Sequence, residues 1–152
     1  IIAQRIRETS YVDKNDPEKK CIKGSLKHVK AIGWYPKKEY GLCQISTNIT
    51  NYKETPIYKV FEECKKEAKD LGVELCGSEI IGLVPLEAFL DVSDFYSRNW
   101  IDKPDSEIMK ICSAAVYLQH GLFPGFNPYV KIIDYVIKRL RGELDFPFPS
   151  YK

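Results

Sequence analysis

From Leu42 to Thr50 the chain reads LCQISTNIT, with Cys43, Ile45, Thr47 and Ile49 on one parity and Gln44, Ser46 and Asn48 on the other. Successive side chains of a strand point to opposite faces, so this alternation predicts a strand with one apolar and one uncharged polar face. A solvated strand face more often carries Lys, Glu or Arg, so a row of amides and a hydroxyl asks what it meets. LKHVKAIGWY just before it predicts a second strand, and the PKKEYG turn between them predicts an antiparallel hairpin.

Helical periodicity dominates the rest. IIAQRIRET reads as the end of a helix whose start is expected outside the given sequence. Thr55-Pro56 predicts a helix start, with Thr55 as N-cap and Pro56 in the first turn. Ile57, Val60, Phe61, Cys64, Ala68 and Leu71 then form one apolar stripe, opposite Glu62, Glu63, Lys65, Lys66, Lys69 and Asp70, and Gly72 ends it. VELCGSEI, residues 73–80, is expected to be a third strand, pairing in parallel through a right-handed crossover. Three more helices are expected. One runs from Pro85 to about Arg98. Another runs from Ser106 to Gln119, with Ile108, Ile111, Cys112 and Ala115 inward and Gly121 as terminator. The last is capped by Asn127-Pro128, with Ile133, Val136, Ile137 and Leu140 inward. The stretch 10–24 has turn formers and charges but no apolar period, and a mobile, poorly ordered loop is expected there. Residues 141–152, ending in GELDFPFPSYK, are expected to form a surface tail.

The helices flanking the hairpin can both cover one sheet face, leaving Gln44, Ser46 and Asn48 to another layer or a ligand. Composition changes this picture little. The 152 residues carry a net charge of +2, which implies neither nucleic acid nor a membrane as partner. The charge is uneven, with ten Lys/Arg against five Asp/Glu in residues 1–40; such a basic segment suits an anionic ligand, but a solvated loop accounts for most of it. Five cysteines without a CxxC motif suit buried thiols in a reducing, cytoplasmic setting. No apolar run approaches the roughly 20 residues of a membrane helix.

Catalytic chemistry is sparse. His28 and His120 have no neighbour at metal-ligand spacing, and both read as solvated or helix-end histidines. Ser78 in CGSEIIG is not in a G-x-S-x-G elbow, and no phosphate-binding glycine loop occurs. Glu79 reads equally well as a ligand-orienting carboxylate or as one bonding backbone amides. The candidate substrate-binding set is Gln44, Ser46, Asn48, Ser78, Glu79 and Lys30, with no metal ligand.

KAIGWY, together with CQISTNITNYKETPIYKVFEECKKEAKDLGVELCGSEIIGLVPLEAFLD, closely resembles the C-terminal subdomain of glutamate formimidoyltransferase, an enzyme also found fused to a cyclodeaminase. The resemblance runs from about Ile1 to Leu140 and is most specific from Gln44 to Leu90. It implies transfer of the formimino group of N-formimino-L-glutamate to N5 of tetrahydrofolate, in histidine degradation. It further implies two α/β sandwich subdomains whose sheets face each other across a folate tunnel, lined here by Gln44, Ser46 and Asn48, and a homodimer. The family's general base is a histidine of the N-terminal subdomain. Neither His28 nor His120 matches it, so no catalytic residue is carried over and this segment alone is expected to be inactive.

The fold expected is α/β in the α+β sandwich sense: a ferredoxin-like β-α-β-β-α-β plan lacking its first, central strand, plus three C-terminal helices. A gap in the sheet follows unless the N-terminal subdomain fills it. The alternative is a non-catalytic ferredoxin-like module that binds a small molecule or a partner; an RNA-binding version lacks an aromatic RNP1-type strand.

Overall fold

The computed structural model describes residues 1–13, 16–35, 41–118 and 126–144. Helices and short antiparallel sheets give an α+β architecture, divided into two compact units, Ile1–Leu75 and Cys76–Lys152.

The first unit holds α1 (Ile2–Ile6), β1 (Tyr11–Val12), β2 (Cys21–Ile22), β3 (Val29–Trp34), β4 (Gln44–Ile49) and α2 (Ile57–Asp70). The β3–β4 hairpin forms as expected, pairing Val29 with Ile49 and Trp34 with Gln44 at its two ends. The PKKEYG turn lies, but for Gly41, outside the described residues. On the inner face Val29 and Ala31 join Ala3 and Ile6 of α1, Leu26, and Val60 and Cys64 of α2 in one core, with Ile45 and Ile49 packed against it. Both helices thus contribute to covering one face. Val60, Phe61, Cys64 and Ala68 are the buried stripe of α2, and burying each of the two larger side chains stabilises by about 1.5–3 kcal/mol.

The end of α2 follows the expected chemistry. Gly72 takes φ 70°, and the amides of Gly72 and Val73 bond the carbonyls of Lys69 and Ala68. That is a left-handed glycine closing the last turn. The start differs by one residue: Pro56 precedes the first helical residue, and the buried Thr55 hydroxyl donates to the Lys27 carbonyl instead of capping. The segment 10–24 also differs from the loop expected. Tyr11 pairs with Ile22 and Val12 with Cys21, a two-residue ladder too short to show as a period in the sequence.

The strand expected over 73–80, at the junction of the two units in sequence, is absent among the described residues. Ser78 makes an isolated bridge and no ladder forms along this segment among the described residues. An extended segment becomes a strand only by hydrogen-bonding to a neighbour, and among the described residues β3 and β4 pair with each other alone. Three longer helices follow: α3 (Leu86–Ser97), α4 (Glu107–Tyr117) and, after the single turn α5 (Pro128–Lys131), α6 (Ile133–Leu140).

Asn127 caps α5, accepting from the Tyr129 amide at 3.0 Å. The helix then breaks at Ile132, whose ψ of 118° is extended, because Val84 bridges there in parallel. The Val84 amide donates to the Lys131 carbonyl at 2.9 Å, and the Ile133 amide donates to the Val84 carbonyl at 3.0 Å. Asp134 of α6 accepts from the Leu86 amide at 2.7 Å, satisfying an otherwise orphan donor at the start of α3.

Two apolar stripes are rotated from expectation. In α4 the buried residues are Ile111 and Ala114, followed by Leu118, while Ile108 and Cys112 are exposed. In α6 Tyr135 is buried after Ile132, and Ile133, Ile137 and Leu140 are exposed. The expected terminator Gly121, with Gln119, His120 and residues 145–152 of the tail, lies outside the described residues.

Candidate ligand-binding face

The register of β3 and β4 sorts their side chains into two sets. Val29, Ala31, Gly33, Ile45, Thr47 and Ile49 share one face, and Lys30, Ile32, Trp34, Gln44, Ser46 and Asn48 share the other. The first set contains the core residues. Every member of the second is exposed, Ile32 at 64% and Trp34 at 53%. Across the strands Lys30 stands opposite Asn48, Ile32 opposite Ser46, and Trp34 opposite Gln44. Opposed residues lie about 5 Å apart, close enough to act on one ligand group together.

Among the described residues, the polar groups on this face are uncommitted. No described residue hydrogen-bonds or ion-pairs with the side chains of Lys30, Gln44, Ser46 or Asn48. The face therefore offers one cation, two primary amides and a hydroxyl around an exposed indole and an isoleucine. Amides present donor and acceptor at once, which suits a ligand with a mixed polar edge. Ile32 and Trp34 are the members that sequence reasoning missed. VKAIGW has apolar residues on both parities, so only pairing with the asymmetric β4 shows which parity is outside.

The remaining candidates are placed elsewhere. Ser78 and Glu79 belong to the second unit. The Ser78 hydroxyl donates to the Leu118 carbonyl, a structural bond, and Glu79 is exposed. His28 sits at the edge of β3 with φ 57°, its Nε2 3.0 Å from Glu54. An open hollow of about 590 Å³ in the second unit is lined by Glu107, Tyr129, Tyr135 and Lys138, among others. Its main polar groups satisfy each other, since the Tyr135 hydroxyl donates to Glu107 at 2.5 Å; burial, and then this bond, raises the Tyr135 pKa.

The cysteines correct an expectation. Only Cys64 is buried, and burial pushes its thiol up to about 11; Cys21, Cys43, Cys76 and Cys112 are exposed. Among the described residues, no cluster of His, Cys, Asp and Glu has the makings of a metal site, and no helix is long and apolar enough to cross a membrane.

Comparison with known proteins gives this face its context. The model of the formiminotransferase domain matches residues 1–138. A formimidoyltransferase-cyclodeaminase of Dictyostelium discoideum is 41% identical over 137 residues, covering 90% of this chain and 24% of the relative. One from Sus scrofa is 39% identical over 116 residues, 75% of this chain and 21% of the relative. A glutamate formimidoyltransferase of Thermoplasma acidophilum is 44% identical over 73 residues, 48% of this chain and 24% of the relative. The chain belongs to the formiminotransferase domain family. It spans between a fifth and a quarter of the length of these relatives.

Proposed function

We propose that this chain is the folate-binding side of a glutamate formimidoyltransferase, with residues 1–140 as its C-terminal subdomain and 141–152 as a surface tail. The observation that carries this reading is the outer face of β3 and β4, where Lys30, Gln44, Ser46 and Asn48 hold unspent hydrogen-bonding groups beside an exposed Trp34. Membership of the formiminotransferase domain family supports this reading.

In the reaction proposed, N5 of tetrahydrofolate attacks the formimino carbon of N-formimino-L-glutamate. A new C–N bond forms to N5, the C–N bond to the glutamate nitrogen breaks, and glutamate leaves. A base accepts the N5 proton and a proton is returned to the departing nitrogen. On this reading the base is a histidine of an N-terminal subdomain, and this chain contributes positioning by holding the folate against that base. The enzyme of this reading works as a cytoplasmic homodimer.

The test is formimino transfer by the intact protein, followed as formation of 5-formiminotetrahydrofolate, beside the isolated 152-residue chain. Transfer by the intact protein and none by the isolated chain is the expected result. An intact protein that binds folate without transferring the group points to the binding-module alternative, and one that does neither ends the folate reading.

A further inference from the structure

We infer that the outer face of β3 and β4 holds its ligand lengthwise, the flat pyrimidine half of a reduced pterin against Trp34 and Gln44 and a carboxylate at Lys30 and Asn48; this rests on the folate reading above. The three cross-strand rows are chemically graded. Trp34 and Gln44 set a broad exposed π-surface beside a primary amide, Ile32 and Ser46 form a neutral middle, and Lys30 and Asn48 end the face with a cation and an amide. Lys30 is the one charged side chain among the six. No described residue pairs with it.

Lys30 and Trp34 are four positions apart, and at the rise of a strand this is about 13 Å. The face thus fits an elongated molecule with a flat polar-edged ring at one end and an anion at the other. A ring stacks on an indole and uses the Gln44 amide for its donor and acceptor edge. The reverse placement sets the carboxylate over the negative face of the indole. It also leaves the anion about 13 Å from the cation, beyond the roughly 8 Å over which exposed charges interact at physiological salt.

The experiment uses the full-length protein in a Trp100→Phe background, so that Trp34 is the reporting indole of this chain. Two probes are titrated: tetrahydrofolate, which carries the glutamate carboxylates, and 6-methyltetrahydropterin, which has the ring alone. Trp34→Leu is expected to weaken both by about tenfold or more, in line with stacking on an aromatic side chain. Lys30→Ala is expected to weaken tetrahydrofolate by about fivefold, less as salt is raised, and to leave the pterin unchanged. Lys30→Arg restores tetrahydrofolate binding. Saturation with either probe quenches Trp34 emission.

Both residues are exposed, and unchanged unfolding midpoints check that the variants remain folded. Equal weakening of both probes by Lys30→Ala, a Trp34→Leu protein that binds the pterin as before, or unchanged Trp34 emission overturns the orientation alone. A parent protein that binds neither probe removes the folate reading and this inference with it.

Discussion

The hydroxyl of Thr55, 1% exposed, donates a 2.8 Å hydrogen bond to the carbonyl of Lys27. The bond ties the entrance of α2 to the turn leading into β3. Replacing Thr55 by the isosteric Val keeps the volume but leaves that carbonyl without its donor. A loss of about 1–3 kcal/mol is expected in denaturant unfolding, with Thr55→Ser close to the parent. A Thr55→Val protein as stable as the parent would show that water replaces the hydroxyl.

Gly24 is a site of close backbone approach. A Cβ there would stand 1.7 Å from the Arg7 carbonyl oxygen, where the chain after α1 folds back and the Ser25 amide bonds the Arg5 carbonyl. Backbone cannot retreat as a side-chain tip does. Gly24→Ala is therefore expected to lower stability by at least about 1–3 kcal/mol. Gly33→Ala, where the nearest atom would be 3.7 Å away, offers the control on the same unit. Thermal melts that rank the two variants in the opposite order would contradict this packing.

Cys64 makes stability depend on alkaline pH. Burial raises its folded-state pKa from 9.0 to about 11, so the folded chain binds the thiol proton more tightly than the unfolded chain does. Its contribution is intact below pH 9 and is lost as pH rises from 9 towards 11, amounting to about 2 kcal/mol by pH 11. Urea midpoints taken across that window should fall less steeply in Cys64→Ala, although the variant starts lower because it leaves a cavity. In native protein, iodoacetamide should modify Cys21, Cys43, Cys76 and Cys112 well before Cys64. Labelling of Cys64 at the rate of the other four, read by mass spectrometry, would contradict its burial.

Asn48 separates binding from folding. Its side chain is exposed and bonded to no described residue, so Asn48→Ala should leave the unfolding midpoint nearly unchanged. Loss of one ligand hydrogen bond should weaken folate binding by about 0.5–1.5 kcal/mol in the full-length protein. Calorimetry giving an unaltered affinity would remove Asn48 from the site.

Local patterns were legible where one parity or one stripe was unambiguous. β4 alternates apolar with uncharged polar residues, and its inner and outer faces follow from that alone. The stripe of α2 and the glycine that ends it were legible for the same reason. The phase of α4 was not, because apolar residues lie around most of EIMKICSAAVY, and which of them faces inward depends on the elements packed beside it. The break at Ile132 depends on Val84, nearly fifty residues away in sequence, and so does not register in a local period. The missing ladder at 73–80 has the same origin, since β-propensity specifies an extended chain but supplies no neighbour to bond. At the candidate face, sequence named Lys30 and the β4 half, and the register of the hairpin added Ile32 and Trp34.

That register has an evolutionary corollary. Ile45 and Ile49 anchor the hairpin to the core while the residues between and beside them meet the outside, so both tasks are written in one reading frame of two. A single-residue insertion within β4 would exchange the two sides over the rest of the strand, driving amides into oil and oil into water. Sequence drift in this segment should therefore proceed by substitution on the outward positions, with the number of residues held constant.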